Sequence, residues 1–177
     1  MAGNVIMINR APVLTLWGAV VAQRLGFDRA ASLTLGKALA GLSAQAKGRR
    51  LGIYQPGKQG HEGPPKKVGL GEDFWVEICG RPIPAKNTQD GVRAVVKDKP
   101  IEPESVERYL GQKFGDELAS VQEAMASLAN ALEPEILAEQ AYGLYERFRP
   151  EIPGGRRGWG AKGELDLSLI ASLAANV

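Results

Sequence analysis

The chain predicts a mainly helical α+β fold: an N-terminal helix pair and a small β-hairpin, winged-helix-like in order, packed with a C-terminal helical bundle. Three observations lead there. Apolar residues recur at spacings of three and four in the first fifty residues and again after residue 102. Between these stretches, short β-rich runs alternate with Gly and Pro clusters. At 177 residues, 44% hydrophobic and 24% charged, the chain has the size and composition of an ordinary globular protein with a real core. It divides into a basic helix pair and hairpin region over residues 1–100 and an acidic helical bundle over 101–177, expected to form one compact unit.

Residues 4–9 read as a short strand or an extended arm. Pro12 suits the first turn of a helix, where its missing N–H would have no partner anyway. That helix is expected to run to Leu25. Val13, Leu16, Trp17, Val20 and Val21 carry the repeat and Ala fills between, so most of its surface is apolar. The apolar run of twelve residues, 11–22, has the length of a signal-peptide core and is too short to span a bilayer. It continues smoothly into Gln23-Arg24-Leu25-Gly26 with no clean cleavage site, so a buried first helix is the reading taken. Gly26 is a good helix-ending residue and Asp28 a good N-cap for the next helix, Arg29 to about Lys47. Leu33, Leu39 and Leu42 give that helix apolar bulk, while Ala31, Gly36, Ala38, Ala40, Gly41 and Ala44 are small. A glycine inside a helix costs ~1 kcal/mol relative to alanine. Close approach of another backbone at Gly36 and Gly41 is the simplest compensation.

Residues 49–55 read as a strand leading into a basic loop over 56–67, with three Gly and three Pro in twelve residues. Residues 67–70 and 74–79 are further strand candidates. Pro82 and Pro84 are expected to stop the pairing, and 91–97 fits strand or short helix equally. Pro103 opens a helix towards Phe114. Asp116 is read as the cap of a second, with Leu118, Val121, Met125 and Leu128 on one face. Pro134 opens a third, with Ile136, Leu137, Ala141, Leu144 and Phe148 inside, ending at Pro150. A second basic glycine loop spans 153–163, and a last amphipathic helix runs from Leu165 to about Ala175.

Charge is distributed unevenly. Residues 1–67 carry ten Lys or Arg against two acids, a net +8, and residues 68–177 carry twelve against eighteen, a net −6. A basic front points to an anionic partner, nucleic acid being the commonest. The helix pair has Ala22 and Gly26 four apart, as at the turn of many helix–turn–helix motifs, and a basic hairpin follows directly, as a wing would. The nucleic-acid contacts expected on this reading are Lys47, Arg49, Arg50, Lys58, Lys66 and Lys67, with Arg29 and Lys37 secondary. Against it stand the missing upstream helix of such motifs and Ser32 at a position that normally wants an apolar residue. The bland alternative is an αα-hairpin whose positive charges are only a solvated face. Few aromatics fall outside expected core positions, which weighs against single-strand recognition. A rival arrangement uses the same charges: the acidic helices pair with the basic front, in the same chain or across a homodimer.

Gly158-Trp-Gly-Ala-Lys-Gly163 matches a dinucleotide glycine pattern in letters alone, because no strand precedes it and no acid follows at the needed distance. Its charges, Arg156, Arg157 and Lys162, make an alternative site for one small phosphate or carboxylate. No catalytic residue, metal or cofactor is assigned. The single histidine, His61, has no second histidine to share a metal. The single cysteine, Cys79, lies in a strand expected to be buried and reads as an inert core thiol. Lacking a partner for an internal disulfide, it fits a reducing, cytosolic setting. Glu135 and Glu139 share a helix face, but acidic helix faces are ordinarily solvated.

Four phrases, Arg10-Ala-Pro-Val-Leu-Thr-Leu-Trp17, Leu33-Thr-Leu-Gly-Lys-Ala-Leu39, Lys47-Gly-Arg-Arg-Leu-Gly52 and Gly158-Trp-Gly-Ala-Lys-Gly163, together resemble a group of uncharacterised bacterial proteins of about this length. The resemblance spans most of the chain. It implies a bacterial cytosolic protein and attaches no activity.

Overall fold

A helix that is apolar all round needs neighbours on every side. The structure, a computed structural model, describes residues 5–47, 73–97, 99–150 and 162–176. In it, helix α1 (Arg10–Arg24) is buried at every residue from Pro12 to Ala22. Its closest neighbour is α2 (Arg29–Lys47), which folds back on it through the tight link at residues 25–28. As expected, Gly26 follows the helix end with φ 114°, and Asp28 Oδ1 accepts the Ala31 N–H at 2.8 Å.

The two helices meet at glycine. A Cβ on Gly36 would collide with the Thr15 carbonyl oxygen and lie 2.9 Å from the Ala19 nitrogen. Gly18 stands opposite, where a Cβ would be 3.0 Å from Gly36 Cα. The expected backbone approach is therefore real at Gly36. It is absent at Gly41, where an added Cβ meets nothing within 4 Å.

The later helices complete the shell around α1. These are α3 (Pro103–Phe114), α4 (Leu118–Asn130) and α5 (Pro134–Phe148). Two expectations about them are corrected. Asp116 does not cap α4. It lies in a 3-10 turn, Gly115–Glu117, that leads directly into that helix. Ile136 is 42% exposed, because the inward stripe of α5 is Leu137, Ala141, Leu144 and Phe148 and residue 136 falls beside it. Trp17 anchors α5 to α1. Its Nε1–H donates to the Ala141 carbonyl at 2.9 Å, and its ring meets Phe148 edge-on at 5.2 Å between centroids.

Chain ends pair in a two-stranded antiparallel sheet. β1 (Val5–Asn9) runs against a strand at Lys162–Asp166, with Ile6 opposite Leu165 and Ile8 opposite Gly163. Residues 162–166 are thus a strand and not the loop end and helix start expected. Gly163 and Leu165 alternate inward with period two, and β1 supplies the backbone partners. The final helix, α6 (Leu167–Ala175), begins only afterwards, with Asp166 Oδ1 accepting the Ser168 N–H.

A second sheet holds β2 (Asp73–Ile78), β3 (Arg81–Thr88), β4 (Gly91–Val96) and β5 (Lys99–Pro100) in sequential order; the Lys162–Asp166 strand is β6. Residues 91–96 are therefore strand. Pro82 and Pro84 do not stop the pairing: they lie inside β3, opposite Glu77 and Trp75. Two residues apart, the prolines place their missing donors towards one side of the strand. They occupy the half of β3 that β4 does not reach, since its pairing begins at Ala85. The β2–β3 turn is Cys79-Gly80, with φ 52° and 76°, the two left-handed residues that a type I′ hairpin requires. Thr34 ties α2 to this sheet. Its buried hydroxyl donates to the Ala31 carbonyl at 2.8 Å and accepts the Ala94 N–H at 2.9 Å. One buried cluster takes in Ile8, Trp17, Leu35, Ile83, Val106, Met125, Phe148 and Ile170, so both halves of the chain share a core.

Gly36→Ala should therefore destabilise the protein by about 3 kcal/mol or more, because the collision is with backbone that cannot rotate away. Gly41→Ala should stabilise it by about 0.5–1 kcal/mol. Urea midpoints of the two variants, moving in opposite directions, check the account.

Burial pushes the Cys79 thiol well above its ordinary value of 9.0, and burial with Tyr142 pushes the Tyr145 phenol above 10.0. Both groups keep a proton in the native state that the unfolded chain loses, so each raised value withdraws stability as pH rises past the unfolded one. The cost is about 1.4 kcal/mol per pH unit for each fully titrating group. Between pH 9 and 10 the decline belongs mainly to Cys79. Unfolding free energies measured across that interval should fall in the wild type and fall much less in Cys79→Ala.

Candidate functional site

The front half of the chain has four cations whose side chains the structure describes, and each is directed at a later segment. Arg10 Nε donates to the Pro150 carbonyl at 2.9 Å. Arg24 donates from Nη2 to the Leu132 carbonyl at 2.8 Å and from Nε to the Ala129 carbonyl at 3.3 Å. It thereby covers the C-terminus of α4, where unpaired carbonyls and the negative end of the helix dipole favour a cation. Arg29 Nε lies 3.1 Å from Glu107 Oε2 on α3, both side chains half-exposed, an ion pair worth about 0–1 kcal/mol. Lys37 places its Nζ 4.2 Å from the centroid of the Tyr109 ring, also on α3.

These contacts change what the helix pair offers. Burial and the nearby Lys113 lower the Lys37 ammonium below its ordinary value. Burial raises the Tyr109 phenol, against the lowering effect of its hydrogen bond to Thr15. Neither is a freely solvated group. The rest of α2 is buried from Ala31 to Gly36 and from Ala38 to Ala40, with Lys37 the one break. A helix that enters the major groove needs an open face carrying base-reading side chains. α2 presents its residues 31–40 to α1, α3 and the second sheet instead. The rival arrangement of the charges, basic front against acidic back within one chain, therefore holds for Arg29 and Glu107. For Arg10 and Arg24 the acceptors are backbone carbonyls.

The remaining candidates are placed as follows. Lys47 is the last residue of α2. Arg49, Arg50, Lys58, Lys66 and Lys67 lie outside the described residues, as do the expected wing, His61, Arg156 and Arg157. Lys162 is exposed at the start of β6, opposite Asn9. Its expected partners Arg156 and Arg157 are outside the described residues, so the anion site of the sequence reading is described only at Lys162. Among the described residues no three His, Cys, Asp or Glu stand together to hold a metal ion, and no helix is long and apolar enough to cross a membrane.

Sequence reasoning missed the second sheet's outer face. Its inner face buries Val76, Ile78, Ile83, Ala85 and Ala94. The outer face carries three rows across the strands, the shortest being Glu77 opposite Pro82. An apolar row runs Trp75, Pro84, Val95, Pro100, as the registers Trp75↔Pro84 and Val95↔Pro100 place them. A charged row beside it runs Asp73, Lys86, Arg93. Trp75 is 65% exposed, which overturns the expectation that the large aromatics belong to the core. A groove of about 380 Å³ is lined by Trp75, Pro84, Val95, Asp73 and Lys97. The available signal was the alternation of Phe74, Val76 and Ile78 with Asp73, Trp75 and Glu77, which puts Trp75 on the polar side of the strand.

A smaller recess of about 220 Å³ lies among α1, α2, α3 and α4, lined by Leu16, Val20, Leu33 and Leu110 beside the Arg29–Glu107 pair. Compared with protein-family models, with curated proteins and with solved structures, the chain matches none.

Proposed function

We propose that this chain is a non-catalytic nucleic-acid-binding protein of the bacterial cytosol, and that its phosphate contacts come from the segment after α2. The carrying observation is a charge balance. Residues 47–67 hold six Lys or Arg, namely Lys47, Arg49, Arg50, Lys58, Lys66 and Lys67, against the single acid Glu62. The docking of the helix pair onto the later helices engages four other cations, Arg10, Arg24, Arg29 and Lys37. The six form a separate run in the sequence, between the end of α2 and β2. A dense cationic segment of this kind neutralises successive phosphates and releases their counterions, which gives affinity with little sequence preference.

Insertion of α2 into a groove is not part of this reading, because its residues 31–40 are enclosed but for Lys37. Arg29 and Lys37, secondary contacts on the sequence reading, become fold contacts, and the primary set stands alone.

In salt-titrated binding to a duplex, Arg49→Ala/Arg50→Ala should weaken affinity to the same degree on unrelated sequences. It should also reduce the slope of log K against log salt by about 2, one for each phosphate that is no longer neutralised. Arg29→Ala/Lys37→Ala should leave that slope unchanged. An unaltered slope in the first variant, or no binding by the wild type at low salt, overturns the proposal.

A further inference from the structure

We infer that the outer face of the second sheet is a stacking site for an unpaired base of single-stranded nucleic acid, with Trp75 as the platform. The inference rests on the nucleic-acid reading above and adds to it which form of the polymer is preferred and where the base sits.

Trp75 is the most exposed large hydrophobic residue among those described, at 65%, and it stands on a strand rather than a loop. Its neighbours fix its surroundings. Pro84 is directly opposite in the register, and Val95, 7% exposed, lines the same groove. An indole held open above an apolar strip is suited to a flat π-face. Stacking of bases on aromatic side chains is a dominant sequence-tolerant term in single-strand binding, and a four-stranded sheet with exposed aromatics is a recurring platform for it.

Charge on the face selects nucleic acid over a neutral partner. The row next to Trp75 carries Lys86 and Arg93 on adjacent strands, the latter also donating to the Val92 and Asp90 carbonyls, and Lys97 lines the groove, so three cations stand against Asp73 and Glu77 on this face. The one acid lining the groove, Asp73, lies 3.5 Å from Lys86 Nζ. It adds an acceptor for an exocyclic amine of a base, while the lysines face the backbone phosphates. A duplex buries its base faces and has nothing to give the indole.

The test is fluorescence-anisotropy binding of a labelled oligothymidylate and of a duplex of equal length to the full chain, as wild type, Trp75→Ala and Trp75→Tyr. A decrease of about 5- to 100-fold in single-strand affinity for Trp75→Ala, with duplex affinity and salt slope unchanged, is the expected result. Trp75→Tyr, which keeps a π-face, should retain most of the affinity. Equal single-strand affinity for wild type and Trp75→Ala overturns the inference and leaves the nucleic-acid reading standing if Arg49→Ala/Arg50→Ala still weakens binding. Absence of binding to both probes overturns both. Trp75 binding a proline-rich peptide instead, with single-strand affinity untouched in Trp75→Ala, also overturns it. A fall in the urea midpoint of Trp75→Ala and Trp75→Tyr with no change in single-strand affinity does the same, because it assigns the face to the protein's own chain.

Discussion

The backbones of α1 and α2 approach each other at Gly18 and Gly36, and the rest of the molecule is arranged around that approach. Without side chains at the crossing, two helices of 15 and 19 residues pack close enough for Ala19, Ala31 and Ala38 to be buried as well. Small residues at a close crossing give up little side-chain entropy, and each helix offers its neighbour a smooth surface. The cost of a helical glycine, ~1 kcal/mol, is offset where the crossing needs it. At Gly41, which meets nothing, that offset is missing.

Such a tight pair is narrow and apolar, and it must be covered. The cover comes from α3, α4 and α5, and polar groups at its margins fix how they dock. Arg24 meets the end of α4, Arg10 meets the carbonyl just past α5, and Arg29 and Lys37 both meet α3. Trp17 and Thr34 serve as the buried polar anchors, one to α5 and one to the second sheet. Charge asymmetry along the chain therefore has two origins with different consequences. Part of it is structural and internal to the fold, and part lies in residues 47–67, between α2 and the second sheet in the sequence.

Local signals were readable in the sequence wherever a local cause decides the outcome. The all-round apolar first helix, the Gly26 and Asp28 boundary, the proline starts of α3 and α5 and the close approach at Gly36 all follow from residue chemistry within one or two turns. What escaped was decided by partners far away in the chain. Pro82 and Pro84 argue against a strand until the register shows their donors are not required. Residues 162–166 become a strand only because β1, more than 150 residues earlier, pairs with them. The fates of Arg29 and Lys37 were equally invisible, since a cation at residue 29 or 37 reads as solvated until Glu107 and Tyr109 are brought beside it. For the candidate site, the cationic segment was plain from composition. Trp75 is exposed because it alternates with the inward Phe74, Val76 and Ile78 along β2, a pattern that the aromatic content of the chain does not show.

Enclosure of α2 also decides what kind of recognition this architecture supports. Reading base edges in a duplex takes a rigid element narrow enough for the major groove, presenting several polar side chains along one open face. Neither helix of the pair meets that requirement, since α1 is buried throughout its middle and α2 is open only at Lys37 between residues 31 and 40. Among the described residues the outer face of β2–β5 exposes an indole, beside three prolines and a row of charge. A surface of that composition makes contact through flat apolar area and point charges, with no directional set of donors and acceptors. On the proposed reading, affinity built this way would track exposed bases and phosphate density rather than sequence.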